Sequence, residues 1–231
     1  MKKINIIIIV VIAVFAFSCK GGGTSNTSNE NNAVCIWDNI SLKDAPEESG
    51  KWICSISIGE TVDYLDKTKE DNSGKKKVTY IKVGLKDGKE GWVQSDLVIV
   101  GGKAGAITET AEIYSRPNLL NKTGNSFSPM DIVAVKSEKD GFIEVVGKRK
   151  TGKWIESGWL KTKSITYCDV DIAVAKFASK ALEISDIEKR NKAIKEILNN
   201  SDFSNSIFLN LLPVAEEKKV ETPIDTTIVS D

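Results

Sequence analysis

One stretch of this sequence occurs twice. Leu42-Lys43-Asp44-Ala45-Pro46 is matched by Ile113-Tyr114-Ser115-Arg116-Pro117, and a valine follows each proline after sixteen residues, as Val62 and Val133. Tyr80-Ile81-Lys82-Val83 returns as Phe142-Ile143-Glu144-Val145, and Gly91-Trp92-Val93 returns as Gly158-Trp159-Leu160. A repeat of roughly 60 to 70 residues confines this part of the chain to two small units of one architecture, each needing its own core. The copies differ only in loops. The first has a longer polar segment at Lys67 to Lys77, and the second a longer hairpin at Gly147 to Ser157. Such insertions are tolerated because turns lie on the surface.

Each unit reads as a series of short strands. The β-rich runs are Ser55 to Val62, Val78 to Leu85 and Gly91 to Val93, then Ile107 to Tyr114, Ile132 to Val135, Phe142 to Val146 and Trp154 to Leu160. Apolar and polar residues alternate in Tyr80-Ile81-Lys82-Val83 and Phe142-Ile143-Glu144-Val145, which predicts half-buried strands. Lys86-Asp87-Gly88-Lys89 reads as a hairpin turn centred on Asp-Gly. Several short strands at this spacing predict small barrels and not a parallel sheet.

An apolar-x-x-x-Pro segment, the strand Gly59-Glu60-Thr61-Val62, an aromatic-x-x-Val strand, a turn and Gly91-Trp92-Val93 follow one another in the first unit. This succession resembles bacterial SH3-like (SH3b) domains. The second unit carries Met130-Asp131-Ile132-Val133 in place of Gly-Glu-x-Val. The resemblance covers 34–100 and 104–166 and implies two tandem SH3-like β-barrels. It places Val93 and Leu160 in the core, with Trp92 and Trp159 covering a barrel edge. Signalling SH3 domains carry a proline and a tyrosine after the Gly-aromatic pair. Gln94-Ser95-Asp96-Leu97 and Lys161-Thr162-Lys163-Ser164 have neither, so a proline-rich ligand is not expected. Bacterial members of the family often target peptidoglycan or its peptide bridges. The aromatic residues singled out for ligand binding are Trp37, Trp52, Tyr64, Tyr114 and Trp154; the alternative for each is barrel packing or a loop plug.

After Thr166 helix formers replace the turn signals. Asp169 to Glu183 places Ile172, Ala175, Ser179 and Leu182 on one face, with Ala178 beside them. Ser185-Asp186-Ile187-Glu188 has the form of a capping box, and Ile187, Ile194, Ile197 and Leu198 follow at helical spacing. A third short helix is predicted from Phe203 to Leu212, stopped by Pro213. The fold class is therefore mainly β with C-terminal α: two tandem barrels at 34–100 and 104–166, then a small helical segment at 167–213. Residues 214–231 are charged and poor in aromatics, which predicts a disordered tail.

The first residues carry an address. Met1-Lys2-Lys3 precedes an apolar run from Ile4 to Phe17, too short to span a bilayer comfortably, and the run ends at Ala16-Phe17-Ser18-Cys19. This resembles a bacterial lipoprotein signal in the relaxed form of lineages such as spirochetes. It implies removal of 1–18, acylation of Cys19 and a flexible tether at 19–33. The partner so implied is a membrane, reached through the N-terminal lipid, and the location is the bacterial cell envelope at the outer membrane. Of the remaining cysteines, Cys35 and Cys54 would close a loop of about twenty residues, worth around 3 kcal/mol as a disulfide. Buried free thiols at Cys35, Cys54 and Cys168 are the alternative.

Composition narrows the chemistry. There is no histidine, which excludes a Ser-His-Asp triad, a Cys-His pair and any His-ligated metal site. The 32 basic and 32 acidic residues become 30 and 32 once Lys2 and Lys3 are removed, a balance that gives no footprint for nucleic acid. Gly101-Gly102-Lys103 is too short for a P-loop, and Glu47-Glu48 and Glu216-Glu217 are sequence neighbours and not an opposed pair. The runs Lys75-Lys76-Lys77 and Lys148-Arg149-Lys150 read as solvated loop tips with some capacity for anionic polymer. The expectation is a non-enzymatic binding module without a cofactor, its ligand peptidoglycan or a protein. The alternative is a scaffold whose C-terminal helices dock a partner protein.

Overall fold

A computed structural model describes residues 31–150 and 152–213. Cys19, the residues that follow it up to 30 and those from 214 onward lie outside the described residues, whereas Asn32 and Ala33 of the expected tether belong to a strand. The first unit contains β1 (Asn32–Cys35), β2 (Ile40–Lys43), β3 (Trp52–Ile56), β4 (Thr61–Asp71), β5 (Val78–Gly84), β6 (Glu90–Gln94) and β7 (Val98–Val100). The second contains β8 (Lys103–Ile107), β9 (Ala111–Tyr114), β10 (Lys122–Phe127), β11 (Ile132–Lys139), β12 (Phe142–Lys148), β13 (Ile155–Lys161) and β14 (Ile165–Thr166). Two helices follow, α1 (Asp169–Leu182) and α2 (Ile187–Leu198). The chain is mainly β, built on two antiparallel sheets with C-terminal α.

The two sheets have one connectivity. Their strand orders are β3-β2-β6-β5-β4-β1-β7 and β10-β9-β13-β12-β11-β8-β14, which become identical when seven is added to each strand number of the first. Register agrees as well. Ile81 lies opposite Val93 and Ile143 opposite Leu160, while Lys43 faces Trp92 as Tyr114 faces Trp159. That last crossing explains the Gly-Trp pair. A Cβ on Gly91 would fall 2.6 Å from the Lys43 carbonyl oxygen, and one on Gly158 would collide with the Ile113 side chain. Only glycine lets β6 and β13 approach their neighbours this closely.

The departure of Met130-Asp131 from Gly59-Glu60 leaves the turn unchanged. Gly59 has φ 75° and Met130 φ 70°, so a methionine occupies the left-handed region that glycine fills in the first unit. Glu60 accepts from the Ser57 N–H at 3.0 Å, and Asp131 accepts from the Ser128 N–H at 2.8 Å. Two expected strands are divided, the first at this turn and the second at 108–110. Ser55 to Val62 breaks into β3 and β4, and Ile107 to Tyr114 breaks into β8 and β9.

Each sheet encloses its own core. Leu42, Ile56, Val83 and Val93 lie in the first, and Ile113, Phe127, Val145 and Leu160 in the second, all fully buried. Val93 and Leu160 thus face inward as expected. Exchanging any one large core residue for alanine costs about 2–5 kcal/mol. Val34 of β1 and Ile36 just after it meet Ala134 of β11 in a smaller apolar seam that joins the units.

The helices cover the second sheet. Val174, Ala175, Ala178 and Ala181 of α1 pack with Ala106, Ile132, Ile194 and Phe208. The small residues let α1 lie close to β8 and β11. The buried face is rotated by about one position from the expected stripe: Ile172 and Leu182 are only partly buried. Asp186, and not Ser185, caps α2, accepting from the N–H groups of Glu188 and Lys189 at 3.0 Å each. The expected third helix is absent. Residues 201–212 instead form two single 3-10 turns, Ser201–Phe203 and Leu209–Leu211. Buried Asp171 explains the interruption. One of its oxygens accepts from Ser206 Oγ at 2.9 Å and the Ile207 N–H at 3.0 Å, and the other accepts from Thr166 Oγ1 at 2.8 Å. These bonds hold the segment in a non-helical path and seat Phe208 in the core.

Candidate functional site

The five aromatic candidates have different surroundings. Tyr114 is buried, 3% exposed, and meets Phe142 edge-to-face at 5.4 Å, so it is a core residue and not a ligand contact. Tyr64 packs on the first core and its hydroxyl lies 3.4 Å from Thr68 Oγ1. Trp37 also leans on that core. Only Trp52 and Trp154 are strongly exposed, at 64% and 77%. Trp52 lies on edge strand β3, its indole N–H directed at Ser55 Oγ at 3.4 Å, and Trp154 immediately precedes β13. Each unit thus presents one large exposed indole, at non-equivalent positions.

Cys35 and Cys54 are free thiols. The disulfide expected from spacing is not formed, because β1 and β3 are separated in the sheet by β4, β5, β6 and β2 and no ladder sets the two residues opposite each other. Burial, helped by Glu60 and Asp38, pushes the Cys35 thiol up to about 12. Burial likewise raises Cys54, with Lys89 acting in the opposite sense. Cys168 provides the N-cap position of α1.

A cluster of charged side chains lies where the two units meet α1. A cleft of about 220 Å³ is lined by Trp37 and Ile58 of the first unit, Met130 and Ile132 of the second, and Lys176 and Lys180 of α1. The Lys148-Arg149-Lys150 hairpin, described above as a solvated loop tip, forms another wall. Its position is set by buried Asp131, which accepts from the Lys150 N–H at 3.0 Å. Burial raises the Asp131 carboxyl despite these N–H bonds and the nearby Lys150 and Arg149 charges. Arg149 pairs with Glu156 at 2.5 Å, Lys180 with Asp38 at 3.1 Å, and the Lys148 ammonium sits 4.4 Å above the Trp37 ring. Sequence reading missed this site because its walls come from three separated segments. Lys176 and Lys180 had no signal beyond an ordinary polar helix face.

Among the described residues, no three His, Cys, Asp or Glu side chains gather as a metal site, and no helix is long and apolar enough to cross a membrane. No family model matches the chain, and no curated protein matches it. Among solved structures it is similar to NlpC2 and NlpC1 from Trichomonas vaginalis, at 12% identity and a TM-score of 0.25 in each case. The first likeness covers 72% of this chain and 55% of that one, the second 65% and 52%. The chain therefore spans about half the length of the structures it matches, and a TM-score so low carries no functional argument.

Proposed function

We propose that this chain is a lipid-anchored, non-enzymatic binding protein of the bacterial cell envelope. Its two sheets are tandem SH3-like barrels, and its ligand is peptidoglycan. The observation that carries this reading is the pair of exposed indoles, Trp52 and Trp154, one on each of two units with the same connectivity. An indole offers a large rigid apolar face together with one N–H donor, which suits the apolar face and hydroxyl rim of a sugar ring. The signal-like N-terminus and Cys19 supply the anchor, and the seam at Val34, Ile36 and Ala134 holds the two units in one orientation. Two weak contacts on linked units then act together. Sedimentation of the full chain with insoluble peptidoglycan tests the reading. Retention should fall several-fold in a Trp52→Ala/Trp154→Ala variant, and equal retention of variant and parent would refute it; capture of a protein by these indoles would replace the wall ligand.

A second reading has its own observation. Phe177 is exposed on α1 against Phe203, beside a groove that includes Ile184, Ala193 and Ile197. This groove suits the alternative of a scaffold whose helices dock a partner protein.

A further inference from the structure

We propose that the cleft between the two units and α1 is a binding site for a phosphate monoester. The site is separate from the exposed indoles and does not depend on wall binding. Five cationic side chains reach the cleft, from two elements: Lys148, Arg149 and Lys150 from the β12–β13 hairpin, and Lys176 and Lys180 from α1. Two of them are already engaged, Arg149 by Glu156 and Lys180 by Asp38. Lys148, Lys150 and Lys176 remain, and among the described residues none of them forms an ion pair. Lys148 and Lys176 instead rest on aromatic rings, Trp37 at 4.4 Å and Phe177 at 5.4 Å.

Three carboxylates also line the cleft, and their oxygens are unequally available. Asp38 is held by Lys180, and Asp131 is buried, its two oxygens accepting from the Ser128 and Lys150 N–H groups. Glu183 is exposed at the end of α1. The free donors are therefore ammonium groups, and the one guanidinium is occupied. Ammonium groups are compact point charges that do not demand a planar partner, so three of them lining one cleft suit a tetrahedral dianion. Trp37, Ile58 and Ile132 form the apolar part of the cleft, which gives the carbon portion of an ester a dry surface. The walls lower the local dielectric, and the charges therefore act more strongly here than the same lysines would on an open loop such as Lys75-Lys76-Lys77.

Calorimetric titration of the full chain in neutral detergent micelles with glycerol 3-phosphate tests the proposal. Saturable binding is expected, weakened roughly tenfold or more by Lys148→Gln/Lys176→Gln and reduced by Lys150→Gln, whose exposed side chain bears little on folding. Lys75→Gln/Lys76→Gln should leave affinity unchanged. No binding by the parent, or equal weakening in the two double variants, would overturn the site. Phosphatidic acid added to the micelles distinguishes the sources: competition assigns the site to a lipid headgroup, and undiminished binding assigns it to a soluble phosphate ester.

Discussion

Removing the Asp171 carboxylate tests how the C-terminal segment is held. Asp171 of α1 is 4% exposed and joins its helix to two other parts of the chain, accepting from Thr166 of β14 and from Ser206 and Ile207 of the terminal segment. A hydrogen bond to a charged group contributes about 1.5–3 kcal/mol net, so three would sum to roughly 5–9 kcal/mol if independent. They are not independent. Loss of the carboxylate also removes the cost of burying it, and the Thr166 and Ser206 hydroxyls still accept from the N–H groups of Cys168 and Phe208. A net loss of about 3 kcal/mol is expected for Asp171→Ala, while Asp171→Asn, which keeps the shape and one oxygen, should lose about 1–2 kcal/mol. With a urea slope of about 2 kcal/mol/M, the alanine variant's midpoint falls by roughly 1.5 M. Local opening is read separately from amide exchange: the Ile207 N–H should lose protection first, followed by Phe208 as its ring leaves the core. A midpoint within about 0.25 M of the parent, with Ile207 still protected, would refute the latch.

Two further predictions concern the first unit. Tyr80 is 1% exposed and its hydroxyl has no hydrogen-bond partner among the described residues, while the equivalent place in the second sheet is occupied by Phe142. Tyr80→Phe should leave stability unchanged or raise it by about 1 kcal/mol in urea denaturation, and a loss of that size would overturn the assignment. Cys35 gives an alkaline signature: its thiol is pushed from 9.0 to about 12 in the folded chain, so the unfolded chain releases the proton first. The associated stability is present below pH 9 and is lost as pH rises toward 12, by about 1.4 kcal/mol per unit. Denaturation from pH 8 to 11 should show a slope that Cys35→Ala flattens; parallel curves would show that Cys35 does not titrate as proposed.

Much of the architecture was legible in the residues. The duplicated Val and Gly-Trp positions carried over to the same register in both sheets, because a glycine imposed by close approach and a valine imposed by a core are local demands. Turn chemistry was harder to read. The left-handed turn at Met130 carries no glycine, and β10, the strand that leads into it, was not among the expected runs. The two C-terminal helices were readable from periodicity, while 201–212 was not. Phe203, Ile207, Phe208 and Leu211 have helical spacing, and a distant buried carboxylate overrides it.

The candidate sites divide along the same line. Sequence alone singled out Trp52 and Trp154, and it singled out Tyr114 equally, because burial depends on which strand faces a residue and not on its type. It also set the two-unit repeat, the absence of histidine chemistry and the signal-like N-terminus, all of which are properties of residue order and composition. Tertiary structure alone decided that Cys35 and Cys54 stay apart and that Asp131 anchors the Lys148-Arg149-Lys150 hairpin. It alone brought that hairpin against Trp37 and α1. The physical reason is the range of the interactions: turns and helix caps are set by neighbours in sequence, whereas a cleft is set by surfaces that meet only after the units have packed.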